Sequence, residues 1–215
     1  MKTPLKYEYT PPGLIKGLFS SFQWESNTNK ILLTFDDGPI PGNTELILKK
    51  LNELNLKAIF FCVGENVQKY PELAKLILDE GHVIGNHTFN HRRVTKTLKE
   101  ETILQIQLFN IILKEKFNYT VKYFRPPCGR FKLSTNGILK REKLQNVMWT
   151  LLSYDYKSDF NIVKFGVDKY LKNNSIVVLH DSLKSKDIII DSIRYIYDVS
   201  ESRGFRIGEP AECLK

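Results

Sequence analysis

Apolar residues along this chain fall into two alternating rhythms. Short, nearly continuous runs at Ile31–Phe35, Ala58–Val63 and Ser175–His180 have the length and β-branched content of buried strands. Between them, apolar residues recur every three or four positions, the period of an amphipathic helix. Asn43 is placed to cap a helix running to about Leu54 that buries Leu46, Ile47, Leu51 and Leu54. Pro71 opens a helix through Glu80, and Gly81 ends it. A third strand is predicted at His82–Asn86, then a long helix from Lys96 to about Lys116 with Leu98, Ile103, Ile106, Phe109, Ile112 and Leu113 inward. A fourth strand, Lys122–Arg125, is stopped by Pro126-Pro127. Ser134 caps a brief helix, Asn146–Leu151 reads as a fifth strand, and Ile162–Lys172 as a helix. After the sixth strand at Ser175–His180, a helix over Asp187–Arg203 closes at Gly204, and Phe205–Ile207 gives a seventh strand.

Strands alternating with helices call for parallel pairing with helical crossovers. No internal repeat or linker divides the run, and the glycine loops of nucleotide-binding sheets are absent, so a single (β/α) barrel-like domain of about seven parallel strands is expected over 30–215. Residues 1–29 form a separate arm: polar and proline-containing to residue 12, then Leu14, Ile15, Leu18, Phe19 and Phe22 at helical spacing. That short helix is expected to pack on the domain; contact with a membrane surface, aided by Lys16, is the weaker reading.

Composition narrows the classes. With 42% hydrophobic and 26% charged residues, the 215-residue chain resembles a soluble globular protein large enough to fold without a metal or disulfide. Its net charge of +8 comes from scattered lysines without an aromatic-interleaved basic stripe, which argues for a solvated surface and against nucleic acid. Cys62, Cys128 and Cys213 are odd in number and form no CxxC, so neither a disulfide framework nor a thiolate metal site is indicated; Cys62 reads as inert core. No apolar stretch reaches the ~20 residues that span a bilayer, and prolines and charges interrupt any secretory leader near Met1. A cytoplasmic monomer is the expectation for the chain as given, though a trimmed extracytoplasmic protein would read alike.

Chemistry-bearing residues gather after the strands. Asp36-Asp37 follows the first, His87-Thr88-Phe89-Asn90-His91 the third, Arg125-Pro126-Pro127-Cys128-Gly129 the fourth, Asp155 the fifth, and His180-Asp181 ends the sixth. In a parallel barrel these positions share the carboxyl-terminal face, where barrel enzymes build their sites. By itself Asp-Asp-Gly-Pro is also good turn chemistry. His87 and His91 change the balance, because one helical turn or a tight loop brings both imidazoles to a single point. Two imidazoles and one carboxylate leave coordination open for water and substrate, and zinc, iron(II), cobalt and manganese all accept that set. His82, at the opposite end of its strand, reads as structural or exposed.

Thr34-Phe35-Asp36-Asp37-Gly38-Pro39, His87-Thr88-Phe89-Asn90-His91 and Arg125-Pro126-Pro127-Cys128-Gly129 resemble the first three motifs of the polysaccharide deacetylases, carbohydrate esterase family 4. Trp149–Tyr156 and Val177–Asp181 resemble the fourth and fifth, so the likeness runs in order over about residues 30–210. The resemblance implies a distorted (β/α) barrel and removal of acetyl groups from an N-acetylglucosamine-containing glycan. It implies that Asp37, His87 and His91 bind one divalent ion, most often zinc, with cobalt, manganese, iron or nickel as alternatives. It further implies Asp36 as general base, His180 as general acid, Arg125 holding Asp36, and Asp155 supporting His180. The backbone N–H of Cys128 would face the oxyanion, with Pro127, Tyr156 and Val178 along the substrate. Three positions depart from the family pattern: Cys128 stands where an aromatic residue is common, Tyr156 where Trp is usual, and Val178 where Leu often lines the acetyl pocket. Two rival readings are an amide or cyclic-imide hydrolase on the same fold and a non-catalytic glycan-binding protein.

Overall fold

The computed structural model describes residues 7–214. The part of the arm expectation that concerns residues 1–6 lies outside the described residues. In chain order the elements are α1 (Gly13–Leu18), β1 (Lys30–Asp36), α2 (Thr44–Glu53), β2 (Ile59–Cys62), α3 (Gly64–Lys69), α4 (Pro71–Asp79) and β3 (Val83–Asn86). They continue with α5 (Lys99–Phe117), β4 (Tyr123–Phe124), α6 (Thr135–Arg141), β5 (Gln145–Asn146), β6 (Leu151–Leu152), α7 (Phe160–Tyr170), β7 (Ile176–His180), α8 (Ile189–Ser202), β8 (Arg206–Ile207) and α9 (Pro210–Cys213).

All strand pairs are parallel, in the order β5-β4-β3-β2-β1-β7-β6, with β8 added to the amino-terminal end of β1. The sheet curls around β1 into a distorted barrel with helices outside, as the alternation predicts. β1 lies at the centre because its residues are buried on both faces. Ile31, Leu33 and Phe35 join the core beneath the helices, whereas Leu32 packs with Ile59, Phe61, Val147 and Ile176 inside the barrel. Cys213 and Leu214, at the carboxyl end of the chain, join that inner cluster. Cys62, Cys128 and Cys213 are all free thiols, and Cys62 is fully buried in the main core.

The structure departs from the sequence-based expectation at four places. The expected fifth strand is two, β5 and β6, and they do not pair with each other. Gln23 enters between them: its N–H donates to the Asn146 carbonyl, and its own carbonyl accepts from Met148 N–H. Phe22 and Trp24 are buried beside Met148, each adding roughly 1.5–3 kcal/mol of apolar burial. Phe22 is thus an anchor beyond α1, not part of it, and Leu14 and Leu18 on α1 are exposed while Ile15 and Phe19 pack inward. The long helix begins at Lys99; Leu98 is its N-cap residue and is exposed, because the chain reaches it through a 3-10 turn at Val94–Lys96. Leu46 on α2 is also partly exposed.

Candidate metal and hydrolytic site

Parallel register aligns the strand ends that carry the polar residues. Asp36 pairs with Phe61 of β2 and with His180 of β7, and Asn86, just before His87, pairs with Phe124, just before Arg125. Neighbouring strands lie ~4.8 Å apart, so the loops after β1, β3, β4 and β7 open on one groove. That groove encloses about 670 Å³. Alternation along β1 sends Leu32, Thr34 and Asp36 to the barrel interior.

Inside, Arg125 meets Asp36. Its Nη1 donates to Asp36 Oδ1 and to Thr34 Oγ1, both at 2.7 Å; Nε donates to the Val147 carbonyl and Nη2 to the Met148 carbonyl, both at 2.9 Å. The guanidinium carbon sits 4.2 Å from the Phe61 ring centre. Arg125 is wholly buried, which disfavours its charge, and the adjoining Asp36 carboxylate favours it. Five anchors and a low-dielectric setting leave Arg125 one orientation, so one oxygen of Asp36 is fixed toward it.

Asp37 points elsewhere because its backbone is left-handed, with φ 81°. The Asn66 side chain holds that turn by donating to the Asp37 carbonyl. Asp37 Oδ1 then lies 3.2 Å from His91 Nε2 and 3.7 Å from His87 Nε2. The two histidines meet through a tight loop, not a helical turn, in which Thr88 and His91 both adopt positive φ. Such strain costs on the order of 1–3 kcal/mol per residue and persists where surrounding contacts enforce it. The candidate ligand atoms of Asp37, His87 and His91 all lie within 4.8 Å of one another. Tetrahedral coordination with bonds near 2.1 Å needs donors roughly 3.4 Å apart, so the set fits a divalent ion. His87 Nδ1 lies 2.8 Å from the Arg125 carbonyl; donating there leaves the Nε2 lone pair aimed at the site. Burial lowers the His87 pKa to about 4, the neutral state a ligand needs. Burial opposes ionisation of Asp37, but the His91 hydrogen bond and the charges of His180 and His87 hold its carboxyl well below the usual range.

His180 has the opposite environment. Its Nδ1 lies 2.6 Å from Asp155 Oδ1, and its backbone N–H donates to Asp155 Oδ2 at 2.7 Å. Ser153 Oγ donates to the same carboxylate, which is fully buried. Burial by itself lowers the His180 pKa, yet the charge and hydrogen bond of Asp155, with Asp37 and Asp36 adding, lift it to about 9. The Tyr156 ring meets the imidazole edge-on at 4.7 Å.

Cys128, Tyr156 and Val178 all line the groove, and Pro127 does not: it is buried. Cys128 has φ 55°, and its N–H has no hydrogen-bond partner among the described residues, leaving a donor at the groove. Gly129 follows with φ 63°, and a Cβ there would lie 2.1 Å from the Trp149 ring. His82 is buried at the far end of β3, where Nδ1 accepts from Ala58 N–H, so it is structural.

Chain order puts Asp181 on the carboxyl-terminal face but assigns it no role; that role rests on long-range partners. Thr44 Oγ1 donates to its Oδ2 at 2.6 Å, Asn43 Nδ2 donates to its Oδ1 at 2.9 Å, and its backbone N–H donates to the Asp36 carbonyl at 2.8 Å. It therefore ties the loop bearing Asp36 and Asp37 to the end of β7. Gly38 is required there, because a Cβ would fall 2.1 Å from Asp181 Oδ2. Burial raises the Asp181 carboxyl to about 7 against those two hydrogen bonds. A second carboxylate directly after His180 was the available signal.

The sequence profile described as polysaccharide deacetylase matches residues 24–147. A peptidoglycan-N-acetylglucosamine deacetylase of Bacillus cereus is 36% identical over 157 residues, covering 73% of this chain and 57% of that protein. The chain thus spans little more than half the length of that relative. A second B. cereus peptidoglycan-N-acetylglucosamine deacetylase is 31% identical over 225 residues and matches 98% of both chains. The crystal structure of the Bc1960 peptidoglycan N-acetylglucosamine deacetylase superposes with a TM-score of 0.86 at 28% identity, covering 94% of this chain and 96% of that one. Motif loops, strand order and a nearly end-to-end relative agree: this chain belongs to the polysaccharide deacetylase family.

Proposed function

We propose that this protein is a metal-dependent hydrolase that removes the acetyl group from N-acetylglucosamine units of a glycan. The observation that carries the reading is one groove holding three parts: the Asp37–His87–His91 donor set, a carboxylate pinned by Arg125, and an imidazole whose Nδ1 lies 2.6 Å from the buried Asp155 carboxylate. The named activities of the relatives support the substrate class.

A divalent ion held by Asp37, His87 and His91 supplies Lewis-acid polarisation of the acetyl carbonyl and acidification of water; zinc suits the donors best, with cobalt, manganese, iron and nickel also accepted. Asp36 accepts the proton as water adds to the carbonyl carbon. Arg125 keeps its other oxygen occupied, so the free one faces the groove. The Cys128 N–H donates to the oxygen that gains charge. Val178 and Leu152 offer the acetyl methyl an apolar wall. His180 then gives its proton to the sugar nitrogen as the C–N bond breaks, releasing acetate and a free amine. One dyad stores a proton and the other site takes one, as opposite duties require.

The test joins metal analysis to acetate release from N-acetylglucosamine oligomers and peptidoglycan fragments, with cyclic ureides as the rival substrates. Turnover of ureides alone, or glycan binding that ignores chelation and yields no acetate, would overturn the reading.

A further inference from the structure

Large apolar side chains left in solvent are not scattered over this molecule. Among the described residues, five are more than two-thirds exposed: Leu14, Leu18, Leu98, Leu133 and Leu183, the last of which lines the groove. The other four come from three segments that touch one another. On α1, Ile15 and Phe19 fill the inward stripe, which leaves Leu14 and Leu18, four residues apart, on an outward one. The Phe19 ring meets Phe131 edge-on at 4.7 Å, two residues before Leu133. Lys132 Nζ donates to the Thr97 carbonyl at 2.6 Å, which joins the segment of Leu98 to that of Leu133. This neighbourhood borders the groove, because Trp149 packs both on the Phe22–Trp24–Met148 cluster and against Gly129.

Cations accompany the leucines. Residues 92–101 and 130–133 hold six lysines and arginines against two glutamates. One of those glutamates, Glu101, is already paired with Arg92. Arg93, Lys96, Lys99 and Arg130 are exposed and make no ion pair among the described residues. Exposed leucines among unpaired cations match the surface of an anionic bilayer, where apolar side chains enter the acyl boundary and cations meet headgroup phosphates. A solvated polyanion would engage the cations and leave the leucines in water. We propose that Leu14, Leu18, Leu98 and Leu133, with the cations around them, form a docking face for an anionic lipid bilayer. Docking there holds the groove beside the membrane surface. Attachment is peripheral, since no helix of the described residues is long and apolar enough to cross a membrane.

The experiment mixes the full chain with vesicles of phosphatidylcholine alone and of equal parts phosphatidylcholine and phosphatidylglycerol. Sedimentation with the mixed vesicles is expected, and at least about tenfold weaker partition into the neutral ones. The double variant Lys96→Gln/Lys99→Gln weakens partition by roughly tenfold or more at low salt, as about 0.5 M salt does for the wild type. The double variant Leu14→Ser/Leu18→Ser weakens it by about tenfold or more. Ile111→Ser, farther along α5 and also exposed, leaves it unchanged. No binding to anionic vesicles, or binding that the leucine variant retains, overturns the proposal. Binding to soluble polyphosphate with none to vesicles makes the cations a polymer site and overturns it too. So does a dimer in sedimentation velocity that the leucine variant dissolves, because a second copy then covers the face. Docking is independent of the hydrolytic reading: acetate release from soluble glycans stays unchanged in both double variants, and vesicle binding needs no turnover.

Discussion

Asp155→Asn isolates the interaction that distinguishes His180 from the candidate ligand histidines His87 and His91. In the native site the His180 pKa stands at about 9, against an ordinary value of 6.5, even though burial pushes it down. The difference is worth about 3 kcal/mol in favour of the imidazolium. The asparagine keeps the size of the side chain and loses the charge, so burial then dominates and the pKa falls to about 6.5 or lower. Imidazole NMR of the metal-free protein reads this shift directly. An ion on Asp37 offsets part of the acidic field, so the alkaline limb of kcat/KM in the loaded enzyme lies somewhat below 9; in the variant it moves down by about two further units. Activity at pH 8 drops between about tenfold and a hundredfold. Stability carries the same signature. Because the folded pKa is raised, the dyad stabilises the metal-free native state fully below pH 6.5 and loses that contribution as pH rises through about 9. The wild type therefore loses up to about 3 kcal/mol across this window relative to the variant, read from urea midpoints at pH 6 and pH 9.5. An alkaline limb that stays in place in Asp155→Asn would refute His180 as the acid.

Asp36→Asn should abolish turnover with metal content near stoichiometric, whereas Asp37→Asn, His87→Ala and His91→Ala should each lose the ion by elemental analysis; a metal-free Asp36→Asn would mean the two aspartates are exchanged. Asp181→Leu leaves Thr44 and Asn43 without their shared acceptor at a buried position, so a loss of about 1–3 kcal/mol in denaturant unfolding is expected, with lower kcat from the loosened Asp36 loop. Cys128→Tyr should preserve metal content and shift the preferred oligosaccharide length, since the side chain lines the groove and the proposed oxyanion donor is the backbone N–H. Gly129→Ala should be more damaging than its neighbour, costing about 1 kcal/mol or more in thermal unfolding, because it combines positive φ with a clash against Trp149.

Most of the barrel was legible because its strands are short apolar runs closed by Gly, Pro or Asp, and because the helices keep their period. The motif residues were legible for a related reason: parallel strands place all their carboxyl ends on one face, so chain order translated directly into a common groove. The break between β5 and β6 was not legible. Val147 and Met148 are as apolar as a strand requires, and the interruption is decided by Gln23, more than a hundred residues earlier in sequence, taking over the backbone groups of Asn146 and Met148. Leu98 was misread for a local reason, since a periodic apolar residue can equally cap a helix, and only the preceding 3-10 turn excludes it from the core. Asp181 was left without a role because its partners lie far away in sequence: Asn43 had been read only as a helix cap, and Thr44 beside it carries no motif signal.

Two adjacent carboxylates can serve different roles only if something makes their surroundings unlike, and here the difference comes from both backbone and burial. Alternation turns Asp36 into the barrel, where a wholly buried guanidinium stands ready; the left-handed conformation of Asp37 swings the next carboxylate out to the imidazoles. Arg125 does more than bind one of them. Its carbonyl also accepts from His87 Nδ1, which fixes the histidine tautomer that faces Asp37. The same residue thus restrains the candidate base through its side chain and a candidate metal ligand through its backbone, so displacing it would disturb both halves of the site together. A buried arginine adds little net stability where a well-packed apolar residue could stand. Its five side-chain contacts and the aligned His87 make sense as the means of keeping Asp36 and Asp37 apart in function.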